Sequence, residues 1–205
     1  MVFAHAQFET ELWSQGHHYV VGIDEVGRGA WAGPLVIGAV VFKADNPPQF
    51  PLADSKQLSS KKRAKLIPQI SSSALAQAII EVSVQEINEI GVGKACQKGF
   101  QRAVQSFDLS PDFVLIDAFK IVGHPLEKQK AIIKGDEQSI SIAAASIIAK
   151  EYRDNLMRQL HLAEPRYCFD TNVGYGTKEH RDAIGQHGLS SSHRLSYDLS
   201  KWVKQ

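Results

Sequence analysis

YVVGIDEVGRGAWAGPLVIGAVVF, residues 19–42, decides how the chain folds. Its first part, YVVGID at 19–24, is a short apolar strand leading into an acidic pair, Asp24 and Glu25. Its last part, LVIGAVVF at 35–42, is almost unbroken in apolar and β-branched residues, which suits a strand buried on both faces, with Gly38 marking close backbone approach. The strand-then-carboxylate pattern returns in DFVLID at 112–117, and a shorter strand, AIIK at 131–134, precedes Gly135 and Asp136. ALAQAIIEVSV at 74–84 reads as a further strand. Helices are expected around 60–71, over 86–107 with interruptions at Gly91, Gly93 and Gly99, over 139–161, and over 178–186. In the third of these, Ala143, Ala144, Ala145 and Ser146 permit tight packing on a sheet, and Tyr152, Leu156 and Leu160 supply a later apolar stripe. Strands alternating with helices in this way predict an α/β fold.

The chain has 205 residues, 43% hydrophobic and 22% charged, which excludes a disordered or collagen-like protein. With 23 Lys and Arg against 22 Asp and Glu the net charge is +1, so an acidic partner has to be met by a local basic patch. Cys96 and Cys168 are too widely separated to form a thiolate metal pair, and a reducing compartment is expected. The first residues lack a basic-then-apolar leader, and the longest apolar runs fall short of a membrane span. A soluble cytoplasmic protein follows as the expectation, folded as a single domain over 1–205, with 178–205 as a C-terminal appendage.

The chemistry concentrates in four carboxylates, Asp24, Glu25, Asp117 and Asp136. Acidic groups at strand ends can cage hard divalent ions, whose charge neutralises their repulsion, although surface charge is the ordinary explanation for any one of them. Strict strand alternation points Asp24 and Glu25 to opposite faces, so both serve one site only if the strand ends or twists there. Gly27, Arg28 and Gly29 follow the acidic pair, where glycines let backbone approach a ligand, and a plain turn explains them equally well. Basic residues gather at Lys56, Lys61, Lys62, Arg63 and Lys65 and again at Lys120, Lys128, Lys130 and Lys134, placed to hold a polyanion if the two regions converge. His180, His187 and His193 lack the ligand spacing of a zinc site, and no serine or cysteine shows a nucleophile's partners.

Taken in order, GIDEVGRGAWAGPLVIGAVV at 22–41, DSKQLS at 54–59, LIDAFK at 115–120, KGDEQSISIAAASIIAKEYRD at 134–154, GYGTKEH at 174–180 and HRLSY at 193–197 closely resemble bacterial ribonuclease HII, the type 2 ribonuclease H family. The resemblance spans most of the chain. It implies an RNase H-like fold, a mixed five-stranded sheet flanked by helices, with a helical C-terminal region that helps grip substrate. It implies endonucleolytic cleavage of the RNA strand of RNA–DNA hybrids and incision 5′ to ribonucleotides embedded in duplex DNA, leaving 5′-phosphate and 3′-hydroxyl ends. A catalytically inactive hybrid-binding module of the same fold is the alternative. Asp24, Glu25, Asp117 and Asp136 take the family's catalytic and metal positions, for Mn²⁺ or Mg²⁺, two ions during catalysis. Gly27, Arg28 and Gly29 fall on the residues that read the ribose 2′-hydroxyl, joined by Tyr175; Lys56 and Ser55 fall near a phosphate, and Arg194 on the C-terminal substrate surface. Departures are Ala118, where many relatives have Gly, Ala30 followed by Trp31, and the ending GLSSSHRLSY. A monomer with no obligate protein partner is expected.

Overall fold

The computed structural model describes residues 2–203, so residues 1, 204 and 205 of the expected 1–205 domain lie outside the described residues. Helix α1 (Gln7–Ser14) precedes strands β1 (Val20–Val26) and β2 (Leu35–Phe42); helix α2 (Ser60–Ser73) leads to β3 (Ala74–Val82). Helices α3 (Val84–Ile90) and α4 (Val92–Gln105) follow, then β4 (Phe113–Asp117), β5 (Gln129–Ile132) and the long α5 (Ile140–Ala163). Two further helices, α6 (Phe169–Asn172) and α7 (Lys178–His187), complete the set. The strands form one sheet in the order β3-β2-β1-β4-β5, antiparallel across β3, β2 and β1 and parallel across β1, β4 and β5. This is the mixed five-stranded sheet with flanking helices and a helical C-terminal region that the sequence implied.

β1 and β2 are central and apolar because both faces are covered. On one face Ile23, Ile37 and Val114 pack with Cys96, Phe100 and Ala103 of α4. On the other, Val40 and Phe42 meet Ala143, Ala144, Ala145 and Ile147 of α5. The small residues let α5 lie almost in contact with the strands: a Cβ on Gly38 would stand 2.2 Å from the carbonyl oxygen of Ala145. That closeness matters for function, since α5 begins four residues after Asp136 and passes Ser146 beneath the end of β1.

Several expectations need correction. The helix expected over 86–107 is two helices, broken at Gly91 alone, and α4 runs through Gly93 and Gly99. β5 starts two residues earlier than expected. The later stripe of α5 is rotated: Tyr152 is 38% exposed, while Arg153 and Met157 are fully buried. A helix periodicity counted on apolar residues misses an arginine that is used internally. α1 was not anticipated either, yet its Glu9 is fully buried and accepts hydrogen bonds from Ser139 Oγ (2.5 Å), the Ser141 hydroxyl and the Ser141 amide (3.1 Å). A carboxylate at the N-terminal end of α5 satisfies amides that have no partner within the helix and suits the positive end of its dipole. No helix among the described residues is long and apolar enough to cross a membrane.

Candidate active site

The sheet register brings the acidic residues together. Ile23 pairs with Ile116 across the parallel β1–β4 ladder, so the next residues, Asp24 and Asp117, stand side by side on neighbouring strands. β5 pairs Ile132 with Asp117, and the turn that follows returns Asp136 to the same end of the sheet. Asp117 Oδ1 accepts the Gly135 amide at 2.7 Å, which ties that turn to the end of β4. The strand does not end at the acidic pair but continues to Val26. Asp24 lies towards Ser146 of α5, and the charge of Glu25 reaches Cys96 of α4, yet both carboxylates line one cleft of about 410 Å³.

The other wall of that cleft is made mostly of loops, with Lys150 of α5 beside them. Gly27, Arg28, Gly29, Lys56, Lys150 and Tyr175 line it. Gly27 takes a φ of +91°, and a Cβ there would lie 2.1 Å from Arg153 Nε, so the turn needs glycine on two counts. The Arg28 guanidinium stands 3.8 Å from Glu25 Oε1 and 4.0 Å from the ring centre of Phe119, which is partly exposed on the turn after Asp117. A Cβ on Gly29 would stand 4.0 Å from the Tyr175 ring.

The electrostatics identify the acidic wall as incomplete. Burial, then the charge of Glu25, pushes the Asp24 carboxyl well above its usual range, with Asp117 and Asp136 adding to the effect and the Ser146 hydroxyl opposing it. Glu25 is pushed up to about 7, first by burial and then by Asp117, against the pull of Arg28 and Lys56. Asp136 is raised by burial, then by the negative charges of Asp54 and Asp117 beside it, against the pull of Lys56. Lys56 is depressed by burial, but Asp54, Asp24 and Asp136 outweigh this and hold it more firmly charged. Glu25 Oε2 is buried with no hydrogen-bond partner. Among the described residues no three carboxylate, histidine or cysteine side chains converge tightly enough to hold an ion as they stand. The donor set nonetheless fits a hard divalent cation: all oxygen, mutually repelling, and with an orphaned oxygen facing no donor.

The remaining expected residues divide. Ser55 is buried in the cleft floor, its hydroxyl 2.9 Å from that of Ser146. Arg194, expected to contact substrate, is fully buried; its Nε donates to the Gly33 carbonyl (2.8 Å) and its Nη1 to those of Gly27 (2.7 Å) and Arg28 (3.1 Å). It lies behind the loop, where carbonyls and not phosphates need its protons. Arg63 of the basic run is likewise buried, paired with Asp154 at 2.7 Å and Glu151 at 3.2 Å. Sequence reasoning missed Arg153, whose guanidinium donates to the carbonyls of Pro34 (2.9 Å), Val173 (2.9 Å) and Ala32 (3.1 Å). It also missed Asp54 beside Asp136, for which its place in DSKQLS, next to Lys56, was the available signal.

Comparison with known proteins gives the family and the fold. The profile of the Ribonuclease HII family matches residues 21–200. A ribonuclease HII of Thermosynechococcus vestitus is 44% identical over 191 residues, 93% of this chain and 88% of that protein. One from Vibrio vulnificus is 43% identical over 185 residues, 90% of this chain and 88% of that protein. The crystal structure of the ribonuclease H2 from Pyrococcus horikoshii OT3, 24% identical, superposes with a TM-score of 0.70 over 89% of this chain and 95% of that one, a likeness of fold. With a profile match over 21–200 and 44% identity to a curated member across nine-tenths of its length, the chain belongs to the ribonuclease HII family.

Proposed function

We propose that the cleft between the acidic strand ends and the glycine loops is where this metal-dependent endonuclease cleaves the RNA strand of RNA–DNA hybrids and cuts 5′ to ribonucleotides embedded in duplex DNA. Membership of the ribonuclease HII family supports the reaction class. The observation that carries the location is the meeting, in one cleft, of under-neutralised carboxylates with Arg28, Gly29 and Tyr175.

Asp24, Glu25, Asp117 and Asp136 would hold Mn²⁺ or Mg²⁺, two ions in the working reading, and such ions supply charge neutralisation at the scissile phosphate and an acidified water. The chain's own residues do the rest. Lys56, exposed at the rim and kept charged by its acidic neighbours, meets a backbone phosphate. The Gly27–Gly29 turn presents backbone to the cleft, so that a ribose can come against it, with Arg28 of the same turn stacked on Phe119 near Glu25. Tyr175 closes the opposite side, where its ring and hydroxyl meet the sugar that carries the 2′-hydroxyl. The hydroxyl is the one feature absent from DNA, so discrimination rests on this wall and hydrolysis on the other. The products are a 3′-hydroxyl and a 5′-phosphate.

The test is a duplex DNA with one ribonucleotide, incubated with Mn²⁺ or Mg²⁺ beside an all-DNA duplex and a chelator control. Cleavage 5′ to the ribonucleotide, absent in both controls, is the expected result. Binding without a metal-dependent cut under either ion would replace it with the inactive binding module.

A further inference from the structure

We infer that His193 and Arg194, adjacent on the segment after α7, form a two-armed brace that positions both substrate-reading loops, Arg194 holding the 27–29 turn and His193 holding Tyr175 through His180. The inference rests on the reading of Gly27–Gly29 and Tyr175 as the wall that meets the ribose.

The backbone explains how two neighbours reach two places. His193 bridges to Ala32 as a short antiparallel pair, and the Arg194 amide donates to the Trp31 carbonyl at 2.7 Å. The Arg194 arm makes the three carbonyl contacts described above and is joined by the Tyr197 hydroxyl, which donates to the Arg28 carbonyl at 2.5 Å.

The His193 arm is a chain of hydrogen bonds whose protons can be placed without choice. The Ser190 amide donates to His193 Nδ1 at 3.0 Å, so that nitrogen carries a lone pair. The proton of neutral His193 is then on Nε2, 3.1 Å from His180 Nε2, which must accept it. The proton of His180 is therefore on Nδ1, and it donates to the Tyr175 carbonyl at 3.0 Å. Both rings are buried, His180 and His193 being 0% and 1% exposed, and Phe169 and Tyr167 pack edge-on against them. A second proton on either ring would set two donors face to face. In keeping with this, burial lowers both imidazoles, and His193, with His180 beside it, falls to about 4. The titratable and charged groups around the pair are Glu164, which accepts from the Ser192 hydroxyl, Arg166, Tyr167, His187 beyond Tyr167, and Arg194 itself.

The experiment compares His193→Leu, His193→Gln and Arg194→Lys on the single-ribonucleotide duplex, with thermal melting of each, and reads the tautomers of the wild-type enzyme by nitrogen-15 histidine spectra at pH 7. His193→Gln places an amide donor where Nε2–H stood; His193→Leu has none. The expected result is a rise in KM of about tenfold for His193→Leu and Arg194→Lys with kcat held within about threefold, recovery of most of the loss in His193→Gln, and His193 seen as the Nε2–H and His180 as the Nδ1–H form. Unchanged KM in a folded His193→Leu, or a cationic or Nδ1–H His193 in the wild type, overturns the brace. The spectra decide the matter if His193→Leu fails to fold. A wild-type enzyme that cuts all-DNA duplex equally well would instead overturn the ribose-reading wall, while leaving the tautomers as assigned.

Discussion

The two walls of the cleft are held by opposite means. The acidic wall hangs on strand ladders: Asp24 and Asp117 stand beside each other because Ile23 pairs with Ile116, and each accepts one backbone amide, from Glu25 and Gly135 respectively, both at 2.7 Å. The loop wall has no ladder and is held by buried cations, with Arg153 and Arg194 together reaching the carbonyls of Gly27, Arg28, Ala32, Gly33, Pro34 and Val173. One wall has negative charge short of partners, and the other has backbone acceptors amply supplied with donors. The difference teaches that the acidic wall is built to be completed by something that arrives, whereas the loop wall is complete before substrate does.

The sharpest way to break this comparison is Asp24→Asn. Cleavage should fall by at least about 10²–10³-fold, as for loss of one pre-set electrostatic group, while the metal-free protein melts no lower than wild type because a buried repelling charge has gone. A melting temperature well below wild type would mean that Asp24 is structural. Arg153→Met should do the reverse. It leaves one buried and two partly buried carbonyls without donors and should lower stability by about 3–5 kcal/mol, read by chemical denaturation, with cleavage lost through unfolding.

The two walls should respond to pH with opposite sign over nearly the same range. Glu25 has a folded pKa above its unfolded one, so its contribution is full below about 4.5 and is lost as pH rises through about 7, by up to about 3 kcal/mol in metal-free protein. His193 has a folded value below its unfolded one, so its contribution is full above about 6.5 and is lost as pH falls towards about 4, again by up to about 3 kcal/mol. Denaturation curves of Glu25→Gln across pH 4 to 9 should lack the fall in stability that Glu25 gives wild type between about 4.5 and 7, and addition of Mn²⁺ should raise wild-type stability most above that window. The same fall over that window in Glu25→Gln as in wild type would break the assignment. The smallest effect is expected at Ala118, which follows Asp117 with a φ of +57°. Ala118→Gly should stabilise the fold by about 0.5–1 kcal/mol, since the relief of a strained left-handed alanine exceeds the added freedom of the unfolded chain. A loss of stability would show that the methyl group is needed where it stands.

The acidic wall was largely legible beforehand because its parts are local. An apolar strand ending in Asp24 or Asp117 announces both the strand and the place of the carboxylate, and Asp136 follows β5 by only a few residues. The doubt over Asp24 and Glu25 pointing apart was sound: they do serve different faces, and the cleft spans the end of the sheet. The loop wall was legible only at its tips. Gly27–Gly29 and Tyr175 could be singled out, but Arg153 looked like one more polar position on a helix, and His180 and His193 like isolated histidines. Nothing within a few residues of Arg153 tells that its partners are the carbonyls of Ala32, Pro34 and Val173.

The sequence alone therefore determined the order and kind of the central strands, the burial of residues 35–42, the family, and the identity of the acidic residues, because period, composition and short motifs are properties of neighbouring positions. Only the tertiary structure decided that Asp24 and Asp117 are adjacent, that Glu25 keeps an unpartnered oxygen, that Arg194 stands behind the glycine loop and not on its surface, and that Glu9 closes the start of α5. Each of these is a hydrogen bond, or the absence of one, between residues far apart along the chain. Such bonds are set by where the packed sheet and helices bring the backbone, which local pattern does not record.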